Sequence, residues 1–267
     1  MCYDAAGILS PNAPTTWRID VQIAKGIAAL EITATIMGQA TVIHPTLLWD
    51  EQTVILADTG YPGQLPLFRE AMQQAGVPFE KLTHIILTHQ DLDHIGCLPV
   101  MLQESPQRIE VWAHEAEKPF IQGEQRLLKL TPEAIARAIA SLPPEMPEQA
   151  RQAFQARLEN PPKANVDKTL ADEEVLPYCG GITVIATPGH TPGHICLYHQ
   201  PSKTLIAGDA LRVVDGQLLG PSPQATLDMQ EAMRSVKKLA RCDIETVICY
   251  HGGVYRGDAN QRIAALA

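Results

Sequence analysis

The sequence predicts an α/β protein in which polar side chains collect where strands end. Short apolar runs rich in Ile, Val and Leu, typical of buried strands, alternate with amphipathic helical segments. Several of these runs end directly in His or Asp, and 267 residues with a 45% hydrophobic share can bury a large core. Because α/β proteins bind ligands at the carboxyl ends of their strands, we expect these polar ends to converge on one cleft.

The first part of the chain contains strands and one helix. Thr-rich and apolar runs over residues 27–56 predict an antiparallel meander, and its last strand runs on to Asp58. A helix is predicted over residues 65–75, where apolar residues recur with helical spacing before Gly76. Asp58 has two interpretations, a carboxylate that orients a metal-binding histidine or a turn-forming residue.

The most informative stretch is residues 85–96, which read IILTHQDLDHIG. It places His89, Asp91, Asp93 and His94 within six residues at the end of an apolar strand. Alternate positions of an extended segment face one side, and His94 follows as the chain bends into a helix near Ile95. Two groups of ligands that point apart suit two metal ions. A polar surface loop is the alternative, and the two intervening aspartates weigh against it.

A helical insertion is predicted next, within a single domain of residues 1–267. The strand at residues 109–114 ends in His114, a candidate pocket residue, although a histidine at a strand end is more often only hydrogen-bonded or solvated. Residues 115–175 are rich in Ala, Glu, Gln, Arg and Leu and show helical spacing, with Thr131 as a helix cap. The insertion could form a lid, make a homodimer contact or pack on the flank of the domain. We favour a lid, because segments beside a site commonly carry its specificity.

Three further strands end in chemically active residues. The strand at residues 182–186 runs into TPGHTPGH, whose prolines and glycines would hold His190 in a rigid loop. His194 is expected to be a structural histidine that donates to the backbone, and His199 to be exposed. The strand after Lys203 ends in Asp209, a helix follows over residues 226–240, and the strand at 246–249 runs into Tyr250 and His251.

The order HxDxDH, TPGHTPGH, GDA and a strand-terminal His before Gly-Gly resembles the metallo-β-lactamase fold superfamily, over about residues 32–253. This resemblance implies a four-layer αββα sandwich with a dinuclear metal site at one edge of its two sheets. It also implies a ligand set: His89, Asp91 and His190 for the first ion, Asp93, His94 and His251 for the second, and Asp209 as the bridge.

One position departs from the commoner HxHxDH motif of that superfamily, because Asp91 stands where the middle histidine is usual. Zinc is the expected ion of both sites. Manganese or iron are alternatives, since oxygen ligands shift metal preference away from zinc. Three carboxylates against two divalent ions leave a net charge of about +1, one unit below the usual site. The flavodiiron branch of the superfamily carries a glutamate at this position.

The resemblance implies a metal-dependent hydrolase. A hydroxide shared by two ions would attack an ester, lactone or thioester-type carbonyl of a small molecule, with Asp93 orienting it. His114, Arg212 and Tyr250 are the predicted substrate-binding residues. Lactone-opening members place a tyrosine where Arg212 stands, which weakens the case for a lactone and makes an acidic substrate group a further alternative. Thioester hydrolysis of the glyoxalase II type is also considered, although few residues follow His251 for its C-terminal helical domain.

Two other classes of function remain open. A di-iron oxidoreductase related to flavodiiron proteins is motivated by Asp91 and would require a separate electron-donating partner. A non-catalytic ligand-sensing module is the weaker alternative, because all seven ligand positions hold competent side chains. Iron content with oxygen or nitric oxide turnover would favour the first, and tight metabolite binding without hydrolysis would favour the second.

Composition excludes several partners. A net charge of −9 argues against nucleic acid, which is bound by clustered Lys and Arg. No apolar run reaches the roughly 18 residues that span a bilayer. The first seven residues lack the basic segment of a signal peptide, so we expect a cytoplasmic protein. Six cysteines without CxxC spacing are expected to be reduced, buried thiols.

Overall fold

The computed structural model describes residues 22–36 and 39–266, which form two large sheets, two hairpins and eight helices. Cys2 and the N-terminal stretch behind the expectation of a cytoplasmic location lie outside the described residues. The strands are β1 (Gln22–Ala24), β2 (Ile27–Ala29), β3 (Ile32–Ile36), β4 (Gln39–Ile43), β5 (Thr46–Trp49), β6 (Val54–Ala57), β7 (His84–Leu87), β8 (Glu110–His114), β9 (Lys168–Leu170), β10 (Val175–Leu176), β11 (Ile182–Ala186), β12 (Ile195–His199), β13 (Thr204–Ile206), β14 (Arg212–Val214), β15 (Gln217–Leu219), β16 (Thr246–Cys249) and β17 (Gly253–Arg256). The helices are α1 (Leu65–Gln74), α2 (Leu92–Ile95), α3 (Leu98–Glu104), α4 (Lys118–Ile121), α5 (Pro132–Ala140), α6 (Glu148–Glu159), α7 (Met229–Leu239) and α8 (Ala259–Leu266).

The first sheet has the strand order β1-β2-β5-β6-β7-β8-β9. Strands β6 to β9 run parallel, whereas β1, β2 and β5 are antiparallel additions beside β6. The predicted meander is therefore confirmed for β2, β5 and β6, while β3 and β4 pair as a separate hairpin. Because β6, β7 and β8 point the same way, the residues that follow them, including Asp58 and His89, emerge at one edge of the sheet.

The second sheet has the order β10-β11-β12-β13-β16-β17 and is antiparallel except between β13 and β16. Its parallel pair places the residues after β13 and β16 at the same edge. These are the segments that contain Asp209 and His251. Strands β14 and β15 form the second hairpin, between Asp209 and α7. The hairpin leads from the edge of the sheet back toward α7.

Three apolar interfaces separate four layers, which confirms the predicted αββα sandwich. Strand β7 contributes to two of these interfaces, because Ile85 and Leu87 face the first helical layer while Ile86 faces the other sheet. All three side chains are fully buried, as expected of a parallel strand covered on both faces. The interfaces are represented by Phe68 with Leu56 between α1 and the first sheet, Ile86 with Leu197 between the sheets, and Val236 with Val247 between the second sheet and α7.

Helix α7 forms much of the outer layer on the second sheet. Its first turn is capped by the side chain of Asp228, which accepts the N–H of Glu231. Val236 and Leu239 project from one face and are completely buried. Burying each such side chain contributes about 1.5–3 kcal/mol, so the apolar face holds this helix on the sheet. The predicted helix over residues 226–240 is confirmed with slightly shorter ends.

The helical insertion is shorter than predicted. Helices α4, α5 and α6 lie within residues 118–159, and Thr131 caps α5 by accepting the N–H of Ala134 at 3.1 Å. Strand β9, at Lys168–Leu170, belongs to the first sheet and pairs in parallel with β8. The prediction of an insertion through residue 175 was therefore wrong at its C-terminal end, because a three-residue strand has no recognisable period and is defined by its partner.

The prediction that His199 is exposed was also wrong. Its side chain is buried, with Nε2 2.8 Å from the carbonyl oxygen of Cys179. The cysteines of the described residues are free, and four of the five are buried, as expected. Burial raises the pKa of the Cys196 thiol to about 12. Over the described parts of the chain, no helix has the length and apolar character needed to cross a membrane.

Candidate metal centre

All seven predicted ligands converge where strands of the two sheets end. They fall into two groups, and within each group one donor atom from every residue lies within 4.8 Å of the others. His89 and His94, in the segment after β7 (the ligand loop, residues 88–94), are buried, and so is His190. His251 has a 37% exposed side chain and marks the open side of the cluster. The first group comprises His89, Asp91, His190 and Asp209, and the second comprises Asp93, His94 and His251.

The ligand loop separates the two groups by a change of backbone conformation. Asp91 is extended, with φ −62° and ψ 147°, and is the last residue before α2. Asp93 and His94 lie within α2, which begins at Leu92, earlier than the predicted start near Ile95. His89 and Asp91 therefore face one group and the helical residues face the other. Asp91 Oδ2 lies 3.2 Å from His89 Nε2 and 3.0 Å from His190 Nε2.

Asp209 lies between the groups. Its Oδ1 is 3.5 Å from His94 Nε2, and its Oδ2 is 3.4 Å from His190 Nε2 and 3.5 Å from His251 Nε2. Burial alone would raise the pKa of Asp209, but His94 and His251 hold it well below its usual value. Burial opposes the charged form of His251, but Asp209 and Asp93 favour it and raise the pKa of His251 to about 10. One carboxylate thus reaches donor atoms on both sides.

The structure favours the first interpretation of Asp58. Its Oδ2 lies 2.9 Å from His94 Nδ1 and also accepts the Thr88 hydroxyl at 2.8 Å. Its Oδ1 accepts the Thr88 N–H at 2.8 Å. A carboxylate beside Nδ1 keeps a proton on that nitrogen and turns Nε2 toward the cluster. The pKa of His94, which burial would lower, is raised well above its usual value by Asp58, Asp93 and Asp209.

His190 is positioned by contact between its loop and α7. Gly189 has φ +130°, and an added Cβ there would lie 2.2 Å from the backbone nitrogen of Ala232. Ser235 on the same helix donates its hydroxyl to the carbonyl oxygen of Pro188 at 2.7 Å. Only glycine allows the backbone to approach the helix this closely. The predicted rigid loop is therefore fastened to α7 immediately before the candidate ligand.

Three atoms of the cluster are buried without a hydrogen-bond partner among the described residues. They are His89 Nε2, His94 Nε2 and Asp209 Oδ1. Buried polar atoms are normally satisfied, because leaving one unpaired costs about 1–3 kcal/mol. Four imidazoles and three carboxylates form a donor set that suits divalent metal ions such as zinc. The donors present therefore fit a metal site.

His194 has the structural role that was predicted, with one change. Its Nδ1 lies 2.8 Å from the Thr187 hydroxyl, and its Nε2 accepts the backbone N–H of Asp209 at 3.0 Å. The histidine therefore accepts from the backbone, whereas a donor was expected. Burial lowers the pKa of His194 well below its usual value, which keeps the ring neutral and its Nε2 lone pair available. Asp209 is held in place through its own peptide group.

Glu117 was not predicted, although it joins the ligand loop to the loop that carries His190. Its fully buried carboxylate accepts Gln90 N and Gln90 Nε2 at Oε2, each at 2.9 Å. Its Oε1 accepts Gly193 N at 2.7 Å. Glu117 precedes the first helix of the insertion, where a glutamate is ordinarily a surface residue. No local pattern distinguishes it, because its partners lie 27 and 76 residues away along the chain.

Lys129 was also missed. It lies between α4 and α5, and its Nζ is 2.5 Å from Asp91 Oδ2 and 2.7 Å from His190 Nε2. The insertion therefore reaches the first donor group, and its role as a lid stays a prediction. The sequence carries no signal for this contact, since Lys129 is a single basic residue in the ordinary helical composition of the insertion.

The three predicted substrate-binding residues have different environments. His114 is half-buried and its Nδ1 accepts the N–H of Ala116 at 3.2 Å. Arg212 is half-buried and donates from Nε to a carbonyl oxygen in the loop after β15 at 3.3 Å. Tyr250 is buried, donates its hydroxyl to the carbonyl oxygen of Asp93, and stacks on His94 with ring centroids 3.8 Å apart. Substrate binding by these residues stays a prediction.

Comparison with known proteins gives a consistent assignment. The probable metallo-hydrolase YflN of Bacillus subtilis is 29% identical over 243 residues, covering 86% of this chain and 85% of that protein. A hydroxyacylglutathione hydrolase of Rhizobium etli is 35% identical over 91 residues, or 34% of this chain and 33% of that protein. The metallo-beta-lactamase family protein TTHA1429 from Thermus thermophilus has a similar fold, with a TM-score of 0.66, 24% identity and coverage of 92% of this chain and 79% of that one. A family model described as the metallo-beta-lactamase superfamily matches residues 39–251, and the chain therefore belongs to this superfamily.

Proposed function

We propose that this protein is a metal-dependent hydrolase with a dinuclear site. The main observation in favour of this proposal is the pair of donor groups with Asp209 between them, each of which contains histidine and aspartate side chains. Membership of the superfamily implies divalent metal ions, and a relative that matches most of the chain is named as a probable metallo-hydrolase. The unpaired Nε2 atoms of His89 and His94 support the same proposal, since ions would satisfy them.

In this proposal each donor group holds one ion. Zinc is the expected metal, with manganese or iron as alternatives because of the oxygen donor of Asp91. Bound ions would polarise a substrate carbonyl, acidify water and stabilise the charge that develops during attack. The first ion would be held by His89, Asp91 and His190, the second by Asp93, His94 and His251, and both by Asp209.

The protein side chains supply orientation and proton transfer. Asp58 keeps the Nδ1 proton on His94 and so directs its Nε2 inward. Asp93, whose Oδ2 is 3.3 Å from His251 Nε2, is the proposed catalytic residue. Burial would raise the pKa of Asp93, but His94 and His251 lower it, so the carboxylate stays ionised and can orient water by accepting a hydrogen bond from it. As water adds to the carbonyl carbon and the acyl bond breaks, one proton of the water passes to the departing alcohol or thiol.

The proposed substrates are small molecules with an ester, lactone or thioester-type carbonyl. Access is from the side of His251 and Asp93, whose side chains are 37% and 18% exposed. Arg212 supports a substrate with an acidic group, because its neighbour Val213 donates its N–H to the carbonyl oxygen of His251 at 3.1 Å. The matched segment of the hydroxyacylglutathione hydrolase supports the inclusion of acyl thioesters. A cytoplasmic location is part of the same proposal.

The test begins with elemental analysis of protein purified without chelator or added metal. About two ions of zinc or manganese per chain are expected, followed by hydrolysis of at least one member of an ester, lactone and thioester panel. Asp209→Ala should abolish turnover and reduce metal content. Asp172→Ala, which removes a surface partner of Lys238, is the matched control and should change neither. Absence of bound metal, or metal-loaded protein inactive on the whole panel, would refute the proposal.

A di-iron oxidoreductase is the second candidate, and Asp91 is the observation that favours it. An aspartate in the first group supplies an oxygen ligand where the commoner motif has nitrogen, and oxygen ligands suit iron better. Two redox-active irons per chain with oxygen or nitric oxide turnover would support this candidate. In that outcome, Asp91→His should lower the iron content relative to zinc.

A further inference from the structure

We propose that Lys129 determines ion binding in the first donor group, because its ammonium competes with a metal ion for Asp91 and His190. This inference rests on the proposed function. It adds a role for the helical insertion, which carries a positive charge to the one group that holds the unusual aspartate. Lys129 acts here as a specificity-determining residue and takes no part in bond breaking.

The contacts of the ammonium are those of a small cation in this group. Nζ lies 2.5 Å from Asp91 Oδ2 and 2.7 Å from His190 Nε2, which are two of the proposed metal-binding atoms. Lysine has only donors, so the contact with Lys129 uses the lone pair of His190 Nε2, and the ammonium then lies between this nitrogen and Asp91 Oδ2, which are 3.0 Å apart. A metal ion would require the same lone pair and the same carboxylate oxygen.

The position of Lys129 is built into the fold. The preceding residue, Leu128, donates its N–H to Gln90 Oε1 at 2.8 Å. Gln90 is fixed by the buried Glu117 carboxylate, which accepts both its backbone and its side-chain N–H groups. Leu127 is buried in the core beside this connection. The backbone that carries Lys129 is thus bonded to the residue between His89 and Asp91.

The charges explain why a lysine belongs here. Replacing a neutral histidine by an aspartate adds one negative charge to the first group. The ammonium of Lys129 returns one positive charge within 2.5 Å of that carboxylate. The Asp91–Lys129 pair therefore has the net charge of the histidine it replaces. An ion entering the first group must displace or share with the ammonium, whereas the second group has its own donors on Asp93, His94 and His251.

The test is a calorimetric zinc titration of the full chain as wild type and as Lys129→Met, which keeps most of the side-chain length and removes the charge. Lys163→Met, an exposed lysine of the same insertion, is the matched control. One of the two binding steps should tighten at least about tenfold in Lys129→Met, about 1.4 kcal/mol, while the other step stays within about twofold. Lys163→Met should titrate like the wild type.

A second pair of variants tests the link to Asp91. Asp91→His removes the carboxylate that pairs with the ammonium, so the first step should weaken, and adding Lys129→Met should restore it. The inference is overturned if Lys129→Met leaves both steps unchanged or weakens one of them, or if its effect is the same with and without Asp91→His. Wild-type protein that binds two ions and hydrolyses a substrate in that outcome would leave the proposed function intact. Failure of every variant to bind two ions would refute both.

Discussion

Replacing Asp58 with asparagine should weaken metal binding without unfolding the protein. Asp58 accepts three hydrogen bonds, from Thr88 N at 2.8 Å, the Thr88 hydroxyl at 2.8 Å and His94 Nδ1 at 2.9 Å. Asparagine retains one oxygen, which can still accept the Thr88 N–H. Its amide nitrogen then faces His94 Nδ1, where two N–H groups would oppose each other.

Two responses are available to His94, and both reduce metal affinity. The ring can move its proton to Nε2 and lose the lone pair that would bind an ion, or it can keep an unpaired buried N–H at a cost of about 1–3 kcal/mol. Loss of such an orienting partner typically weakens metal binding about 10–100-fold, equivalent to about 1.4–2.7 kcal/mol. We expect one binding step to weaken by this factor.

The assay is a zinc competition titration with a chromophoric chelator, with urea unfolding as the check on folding. Asp50→Asn is the matched control, since Asp50 also accepts three hydrogen bonds, from the N–H groups of Gln52, Thr53 and Cys179. It should bind zinc like the wild type. Wild-type zinc affinity in Asp58→Asn would refute the inference that Asp58 orients His94.

Three further predictions concern stability, each measured by urea unfolding of the full chain. Gly252→Ala should cost at least about 3 kcal/mol, because its Cβ would lie 1.9 Å from Val213 O, whereas Gly216→Ala, with a similar positive φ and open space, should cost about 1 kcal/mol. Glu117→Ala should cost about 3–5 kcal/mol, because it leaves buried N–H groups of the ligand loop and of the loop that carries His190 unpaired; a loss below about 1 kcal/mol would contradict this role. Burial lowers the pKa of His199 in the folded chain, so the unfolded chain takes up the proton at a higher pH. The contribution of neutral His199 to the free energy of unfolding should be fully present above about pH 6.5 and decline as the pH falls below it. His199→Gln should reduce that decline, and an identical pH profile would contradict the assignment.

The convergence of the candidate metal ligands could be predicted because they lie in local patterns at strand ends. His89 lies two residues after the end of β7, and Asp209 and His251 follow the parallel pair of β13 and β16 within a few residues. Strand direction alone brings such residues to a common edge. Asp58 was recognised for the same reason, although only the structure decided between its two interpretations.

Residues that act across long sequence separations could not be found in this way. Lys129 and Asp91 are 38 residues apart, and Glu117 and Gly193 are 76 apart. Lys129 and Glu117 are ordinary charged residues in their own segments, and only the tertiary fold gives them these partners. Strand β9 failed for a related reason, because three residues carry no period and depend on β8 for their conformation.

The hydrogen bond between Leu128 and Gln90 has a consequence for protein engineering. Insertions beside an active site are often treated as exchangeable modules, to be trimmed or swapped to alter substrate preference. Here the insertion is bonded to the residue between two candidate ligands and places a cation on one of them. A loop exchange in this protein would therefore alter metal content along with the substrate pocket, and each chimera should be assayed for both.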